Sequence, residues 1–383
     1  MQYSYLFWDG LRPDQSTQVI AQFGPVDAWL RLKRSRPSSL LTVWNDQALV
    51  AVSVMTHDRL AIQGTIVDVA TIRRQSFTVT PDTADVVELT MMHAAAALDE
   101  GIGIVLRSGD SLTWASHGFA PVSYAVTTSW SQPTRMSRPQ PGTTQRLASD
   151  RDVLQRLSDM QRVRPTGNVD VVDWEEASQT EWFILTSRDG QVRGAAQLEV
   201  TDQGTVCRRA VVTDDGAAGD LIDGLVDSID ATTLQIALAP QHPLARMALA
   251  VGAETRIHAA APFGVLGGII DLPTMLTALI PAFTARIAAS GYADWVGGVR
   301  LEISDERAMI MLNAGVVTII DGTREAAVRM RSIELPALAQ LCFGYRSVSA
   351  LRRAGMLACD DTELPLCEIL FPCITPVLPF FRS

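Results

Sequence analysis

The chain is short of positive charge. Of its 383 residues, 32 are lysine or arginine and 42 are aspartate or glutamate, so the formal net charge is −10 at pH 7. Lys33 is the only lysine. Because nucleic-acid binding needs a basic surface that faces the phosphates, this balance argues against a nucleic-acid partner. With 47% hydrophobic residues, the chain can still fill the cores of two or three domains.

Cysteine and histidine are scarce as well, with five residues of each type. The cysteines show no CxxC or CxxH spacing, and the histidines show no spacing typical of metal ligands. The sequence therefore predicts buried free thiols in place of disulfides, and it predicts no metal site. The five cysteines are Cys207, Cys342, Cys359, Cys367 and Cys373.

Long apolar runs are missing too, although the mean hydropathy is +0.14. The longest such stretch, residues 259–270, contains Pro262 and ends at Asp271, so it is too short for a membrane span. The N-terminal sequence MQYSYLFWDGLRPD has no basic start followed by an apolar stretch, and no signal peptide is expected. We therefore predict a cytoplasmic protein. Neither a GxSxG elbow, a P-loop nor a Rossmann glycine pattern is found.

What is present is a chain in three segments. Residues 131–145, SQPTRMSRPQPGTTQ, have the composition of a linker. This stretch separates a first predicted domain, residues 1–130, from a second, residues 146–264. A third predicted domain, residues 267–383, begins with an Ile-Asp-Leu-Pro start before a helix.

The first two segments share one order of elements, which is a weak internal repeat. Each has a helix, a strand hairpin, a further strand, a helix, a strand and a short helix that ends at a glycine. In the first segment we predict them at 15–33, 40–55, 76–80, 85–100, 103–107 and around Gly118. In the second segment we predict them at 148–162, 182–200, 209–213, 220–228, 234–238 and around Gly252.

The third segment has a different pattern. Residues 299–304 and 308–312 alternate in polarity and predict a hairpin, and residues 316–320 predict a third strand. Two helices follow, the first ended by Gly344 and the second capped by Ser347 and ended by Gly355.

The repeated order is the plan of the GCN5-related acetyltransferase fold, and residues 61–81 and 117–121 resemble that fold most closely. The whole chain resembles the enhanced-intracellular-survival type of acetyltransferase. That family has two acetyltransferase-fold domains and a sterol-carrier-protein-like C-terminal domain. The resemblance implies a mixed α/β (α+β) fold, acetyl-CoA as cofactor, a small-molecule or peptide amine as substrate, and a homo-oligomer. Trp8, Trp174 and Trp182, in otherwise polar settings, also favour assembly.

The resemblance also implies a set of site residues. Phe77, Thr78 and Val79 fall on the strand that holds the cofactor, and Thr83, Ala84 and Asp85 begin the helix at its pyrophosphate. Trp114 stands where the family has a tyrosine that acts as general acid, with His117 three residues later. The carboxylate of Ser383 falls at the place of the family's general base.

Two departures from the family pattern weaken this assignment. The loop from Asp82 to Asp85 lacks the arginine and glycine residues that bind phosphate, and a charge about 5 Å from a phosphate costs roughly 3 kcal/mol at an effective dielectric near 20. Arg73, Arg74 or Arg107 would have to compensate. An indole N–H also cannot replace a tyrosine as acid. Two hypotheses remain open: an acetyl-CoA-dependent N-acetyltransferase with weak or absent cofactor binding, or a catalytically degenerate binding or assembly protein.

Overall fold

The structure is a computed structural model, and every structural statement below concerns the residues that it describes. These are residues 3–23, 38–62, 65–108, 114–131, 133, 144–148, 182–187, 191–201, 204–228, 233–238, 242–259, 265–303, 306–321, 328–331 and 333–374.

Strands and helices alternate through most of this part of the chain. The strands are β1 Tyr3–Phe7, β2 Ser38–Asn45, β3 Ala48–Ile62, β4 Thr65–Phe77, β5 Ile104–Ser108, β6 Phe119–Pro121, β7 Tyr124–Ser131, β8 Thr144–Ala148, β9 Trp182–Thr186, β10 Val192–Thr201, β11 Gly204–Val212, β12 Thr233–Ile236, β13 Glu254–Ala259, β14 Val265–Ile269, β15 Val296–Ile303, β16 Glu306–Asn313, β17 Val316–Asp321 and β18 Val328–Met330. The helices are α1 Pro13–Phe23, α2 Thr83–Asp99, α3 Asp215–Ser228, α4 Pro243–Ala250, α5 Leu272–Ala278, α6 Ile280–Ala288, α7 Leu335–Cys342, α8 Val348–Arg353 and α9 Leu364–Leu370, with a short 3-10 helix at Trp8–Gly10.

The strands form three sheets. The first has the order β1-β2-β3-β4-β5-β14-β6, the second β13-β7-β12-β11-β10-β9-β8, and the third β17-β16-β15-β18. Most neighbours are antiparallel, but β4 and β5, β11 and β12, and β15 and β18 are parallel. The predicted mixed α/β architecture is confirmed.

The contacts divide the described residues into two compact units. One unit takes its residues from 1–122 and 261–374, and the other takes them from 123–260. The predicted three-domain division stays a prediction. Two strands, however, join a sheet other than the one that this division implies. β7, within the first predicted domain, pairs with β12 and β13 of the second sheet. β14, near the start of the third, pairs with β5 and β6 of the first sheet.

Local signals account for the elements that were predicted correctly. The first hairpin turns between Asn45 and Ala48, with Asp46 at a φ of 53°. Gly344 and Gly355 have φ values of 69° and 73°, so they end α7 and α8 in the left-handed conformation that glycine adopts at low cost.

Other boundaries were wrong. The strand expected at residues 76–80 ends at Phe77, because the backbone bends at residues 78 and 79. The helix expected from Ala148 conflicts with β8, which ends at that residue. Most of that expected helix, and residues 24–33 of the first, lie outside the described residues.

Helix α2 covers one face of the first sheet. Val87, Ala94 and Ala97 on the helix are buried against Ile72 and Val105 of the central strands. The capping box at the helix N-terminus, formed by Asp82 and Asp85, fixes where this helix begins. Burial of its apolar face therefore holds the helix N-terminus next to the end of β4.

Two buried histidines make stability depend on pH. Both ring nitrogens of His93 lie 2.8–2.9 Å from hydroxyl oxygens, those of Ser39 and Ser53. In the second unit, His242 Nδ1 accepts from the N–H of Leu244 at 3.1 Å, and Nε2 donates to the carbonyl of Ala210. Burial lowers the pKa of His93 to about 3 and that of His242 to about 4.

We expect acid to destabilise both units already between pH 7 and pH 5. The folded pKa values are depressed, so the unfolded chain binds protons first as pH falls below about 6.5. The free energy of unfolding should drop by roughly 2 kcal/mol for each histidine between pH 7 and pH 5. Urea unfolding at several pH values measures this slope, and a slope left unchanged by His93→Gln contradicts the assignment to His93.

Candidate active site

The first feature of the site is the point at which β4 and β5 part. Their parallel ladder begins at Ala70–Val105 and ends at Ile72–Arg107. β4 continues to Phe77, and over this last stretch its pairing among the described strands is with β3. β5 ends one residue later, at Ser108, so the last five residues of β4 extend beyond the ladder with β5.

A β-bulge lies at the same level. The register between β3 and β4 shifts so that Met55 is opposite Ile72 and Val54 is opposite Arg74, which makes Arg73 the extra residue of β4. Bulges bend a strand and increase its twist. The bulge therefore gives a local reason for β4 to leave β5 at this point.

Arg107 stands at the last ladder position. Its guanidinium carbon lies 3.4 Å from the centre of the Trp114 ring, a cation–π contact. Its Nη1 donates to Thr90 Oγ1 on α2 at 2.8 Å, and Gln75 Nε2 donates to the same oxygen at 2.9 Å. Burial lowers the pKa of Arg107 to about 9. Polar contacts thus join β4, α2 and β5 where the ladder ends.

Trp114 is therefore fixed in place by its neighbours. It is buried, and its ring meets Phe119 edge-on with a centroid distance of 5.3 Å. His117 is exposed, and its ring centroid lies 6.3 Å from that of Trp114. The structure brings these two predicted residues together, with the imidazole on the solvent side and the indole in the core.

The N-terminus of α2 is already bound by two carboxylates. Asp82 Oδ1 accepts from the N–H of Asp85 at 2.8 Å, and Asp85 Oδ2 accepts from the N–H of Asp82 at 3.3 Å. Free N–H groups and the helix dipole are what make a helix N-terminus attract a phosphate. Here two negative side chains stand at that place, so the residues do not fit a pyrophosphate.

The other residues predicted to bind the cofactor lie between the end of β4 and the start of α2. Phe77 packs with the cluster of Leu41, Val43, Ala51 and Leu89, while the N–H of Thr78 bonds to the carbonyl of Val50 at 2.9 Å. Val79 is 67% exposed, Ala84 is exposed, and α2 begins at Thr83. Only Phe77 is part of the strand, so the assignment of Thr78 and Val79 to it was wrong. Ser383 lies outside the described residues.

Arg73 is one of the three arginines expected to offset the negative charge of Asp82 and Asp85, but its guanidinium binds residues of β3. Its Nη2 lies 2.7 Å from Asp58 Oδ2, and its Nε donates to Thr56 Oγ1 at 2.9 Å. Asp58 is buried, and sequence reasoning did not single it out. In the sequence, Asp58 is marked only as a charged residue within a long, mostly apolar strand. Arg74 Nε donates to Ser76 Oγ at 3.3 Å.

The matching loop of the second sheet is acidic in the same way. Asp214 Oδ1 accepts from the N–H of Ala217 at 2.8 Å, and this bond is the main cause that lowers the Asp214 pKa. Arg193 forms ion pairs with Asp214 and Asp220.

Within the part of the chain that the structure describes, no group of three or more metal-ligand residues is found. Nor is any described helix long and apolar enough to cross a membrane.

No known protein family matches the sequence, and no curated protein matches it. Solved structures do match the fold. A conserved protein of unknown function from Enterococcus faecalis V583, a probable N-acyltransferase, is 13% identical with a TM-score of 0.75 over 99% of both chains. A GCN5-related N-acetyltransferase from Kribbella flavida is 17% identical with a TM-score of 0.72 over 98% of both chains. Eis1 from Mycobacterium abscessus is 13% identical with a TM-score of 0.66 over 98% of both chains. The chain therefore has the fold of GCN5-related N-acetyltransferases along its whole length.

Proposed function

We propose that the chain is an N-acetyltransferase of the enhanced-intracellular-survival type that uses acetyl-CoA and a small-molecule or peptide amine. One observation carries the proposal: in a chain with this fold, the ladder between β4 and β5 ends at Ile72 and Arg107, while β4 runs on to Phe77, six residues before α2 begins at Thr83. The part of β4 beyond the ladder is where an extended ligand would meet the backbone of this strand. The sterol-carrier-protein-like nature of the last segment, the role of Ser383 and homo-oligomeric assembly belong to this proposal as predictions.

The phosphate groups of acetyl-CoA fit the start of α2 poorly. Asp82 and Asp85 occupy the helix N-terminus, and the overall charge of −10 adds repulsion at long range. We expect binding about a hundredfold weaker than at an uncharged helix N-terminus, which corresponds to about 2.7 kcal/mol.

A second function is favoured by a separate pair of observations. The capping box satisfies the helix N-terminus without a ligand, and Trp114, at the acid position, is locked between Arg107 and Phe119. Both arrangements suit a scaffold that binds or assembles without catalysing. A fold alone does not decide between the two functions.

Calorimetric titration with acetyl-CoA, followed by an acetylation assay over a panel of amines, separates them. Acetyl transfer should be detectable by mass spectrometry only at acetyl-CoA concentrations near the top of the usual KM range, about 1 mM. Heat and transfer that are both absent at that concentration would exclude the enzyme and leave the scaffold. Micromolar binding would show that the phosphates avoid the capping box.

A further inference from the structure

Two cysteines of the C-terminal segment lie in direct contact. The Sγ atoms of Cys359 and Cys367 are 3.7 Å apart, within hydrogen-bonding distance for sulfur. Cys359 follows Ala358, which bridges to Arg331, and Cys367 lies within α9. Both are free thiols in the structure. Sequence spacing gave no sign of this pair, because seven residues separate the two cysteines.

The backbone holds both cysteines in place. A turn links them, in which the N–H groups of Glu363 and Leu364 both donate to the carbonyl of Asp360 at 3.1 Å. The N–H of Cys367 donates to the carbonyl of Glu363 at 3.2 Å and continues the turn into α9. A disulfide bond is about 2.05 Å long, so the sulfurs need to approach by less than about 2 Å before the bond can form.

The two thiols differ in access. Cys359 is 6% exposed, and its neighbours Ala358, Asp360 and Asp361 are all exposed, whereas Cys367 is 0% exposed. A small oxidant therefore meets Cys359 first. The hydrogen bond with Cys367 also lowers the pKa of Cys359, and the same contact together with burial raises the pKa of Cys367. Thiolate character and access together decide which thiol reacts.

We propose that Cys359 and Cys367 form an oxidation site that closes to a disulfide when the chain meets a hydroperoxide. The Cys359 sulfur attacks a peroxide oxygen, the O–O bond breaks, and Cys359 becomes a sulfenic acid while an alcohol or water leaves. The Cys367 sulfur then attacks the Cys359 sulfur. An S–S bond forms, the S–O bond breaks, and the hydroxyl leaves as water with the Cys367 proton. Two thiols are oxidised and one peroxide is reduced.

The disulfide would fasten the segment before α9 to a helix that is already well anchored. Glu368 on α9 accepts from both the N–H and the hydroxyl of Ser349. Arg286 on α6 donates to the carbonyl of Leu370 at 2.5 Å. Since α9 keeps its position through these contacts, oxidation should leave the fold intact and change only the mobility of residues around Cys359.

The test treats the reduced full chain with hydrogen peroxide, alkylates the remaining thiols and maps peptides without reduction. Trypsin alone leaves Cys359, Cys367 and Cys373 on one peptide, residues 354–382, because no lysine or arginine lies between Arg353 and Arg382. A second digestion with an enzyme that cleaves after glutamate cuts at Glu363 and Glu368 and so separates the three. The result expected is one cross-link between residues 354–363 and 364–368.

Three variants make the result decisive. Cys367→Ser should leave a sulfenic acid at Cys359 that dimedone labels, while Cys359→Ser should leave Cys367 alkylatable after peroxide treatment. Cys342→Ser is the matched control, because Cys342 is buried with its pKa raised to about 12, and the cross-link should form as in the wild type. The proposal is overturned if Cys359 and Cys367 both remain thiols while the exposed Cys373 is oxidised, or if either pairs with another cysteine.

Discussion

Asp85→Asn is expected to strengthen acetyl-CoA binding by roughly 30- to 150-fold, or about 2–3 kcal/mol. The substitution removes a negative charge where the pyrophosphate would lie, and it keeps a side-chain oxygen that can accept from the N–H of Asp82. The helix start should therefore survive while the repulsion falls. Isothermal calorimetry on the wild type and the variant at the same ionic strength measures the change.

Salt gives an independent check on the cause. Screening shortens the reach of a charge from about 10 Å at 0.1 M salt to about 3 Å at 1 M salt, so the advantage of the variant should shrink as salt rises. Asp271→Asn is the matched control, because Asp271 caps α5 by accepting from the N–H of Thr274 at 2.8 Å. It lies beyond Ile269, which pairs with Ile104 at the other end of β5. An equal gain in that control would assign the effect to net charge and would contradict a local role for Asp85.

Phe343→Ala is expected to lower the free energy of unfolding of the first unit by about 3–5 kcal/mol. Phe343 is fully buried, and its ring lies close enough to β14 that a methyl group at Gly267 would come within 3.2 Å of it. The ring fills the space between the end of α7 and the first sheet. Its removal leaves a cavity at the contact between α7 and β14 of the first sheet.

The control makes the same chemical change on the surface. Phe7 is 41% exposed, so Phe7→Ala should cost less than about 1.5 kcal/mol. Scanning calorimetry of both variants, together with hydrogen exchange at residues 265–269, tests whether the loss is centred on β14. Equal losses in the two variants would show that Phe343 does not hold α7 to the sheet.

Sequence reasoning succeeded where a signal is local. The hairpin around Asp46, the helix ends at Gly344 and Gly355, and the cap at Ser347 each depend on a few neighbouring residues. The Asp82-Thr-Ala-Asp85 pattern is also local, since it is the sequence form of a capping box. For that reason the capping box at this helix start can be read from the sequence, and the poor fit for a phosphate stays a prediction.

Pairing between distant segments could not be predicted in the same way. Nothing in residues 265–269 indicates that they lie between β5 and β6, because the periodicity of a strand does not say which strand it joins. The contacts of Arg107 with Trp114 and Thr90 also depend on where β5, α2 and the following turn meet. The site therefore differs from its predicted form mainly at residues whose partners come from other elements.

The position of β14 in the first sheet affects how the protein folds during its synthesis. On the ribosome, β5 and β6 emerge early, but the strand that lies between them begins only at Val265. Every residue from Pro121 to Val265 must be synthesised before the first sheet can close, and during that interval the facing edges of β5 and β6 lack their final neighbour. Strand edges left open in a nascent chain invite pairing with other chains, so the chain is exposed to mispairing during this interval. The sheet that starts first is thus completed late, after the residues of the second unit have already left the ribosome.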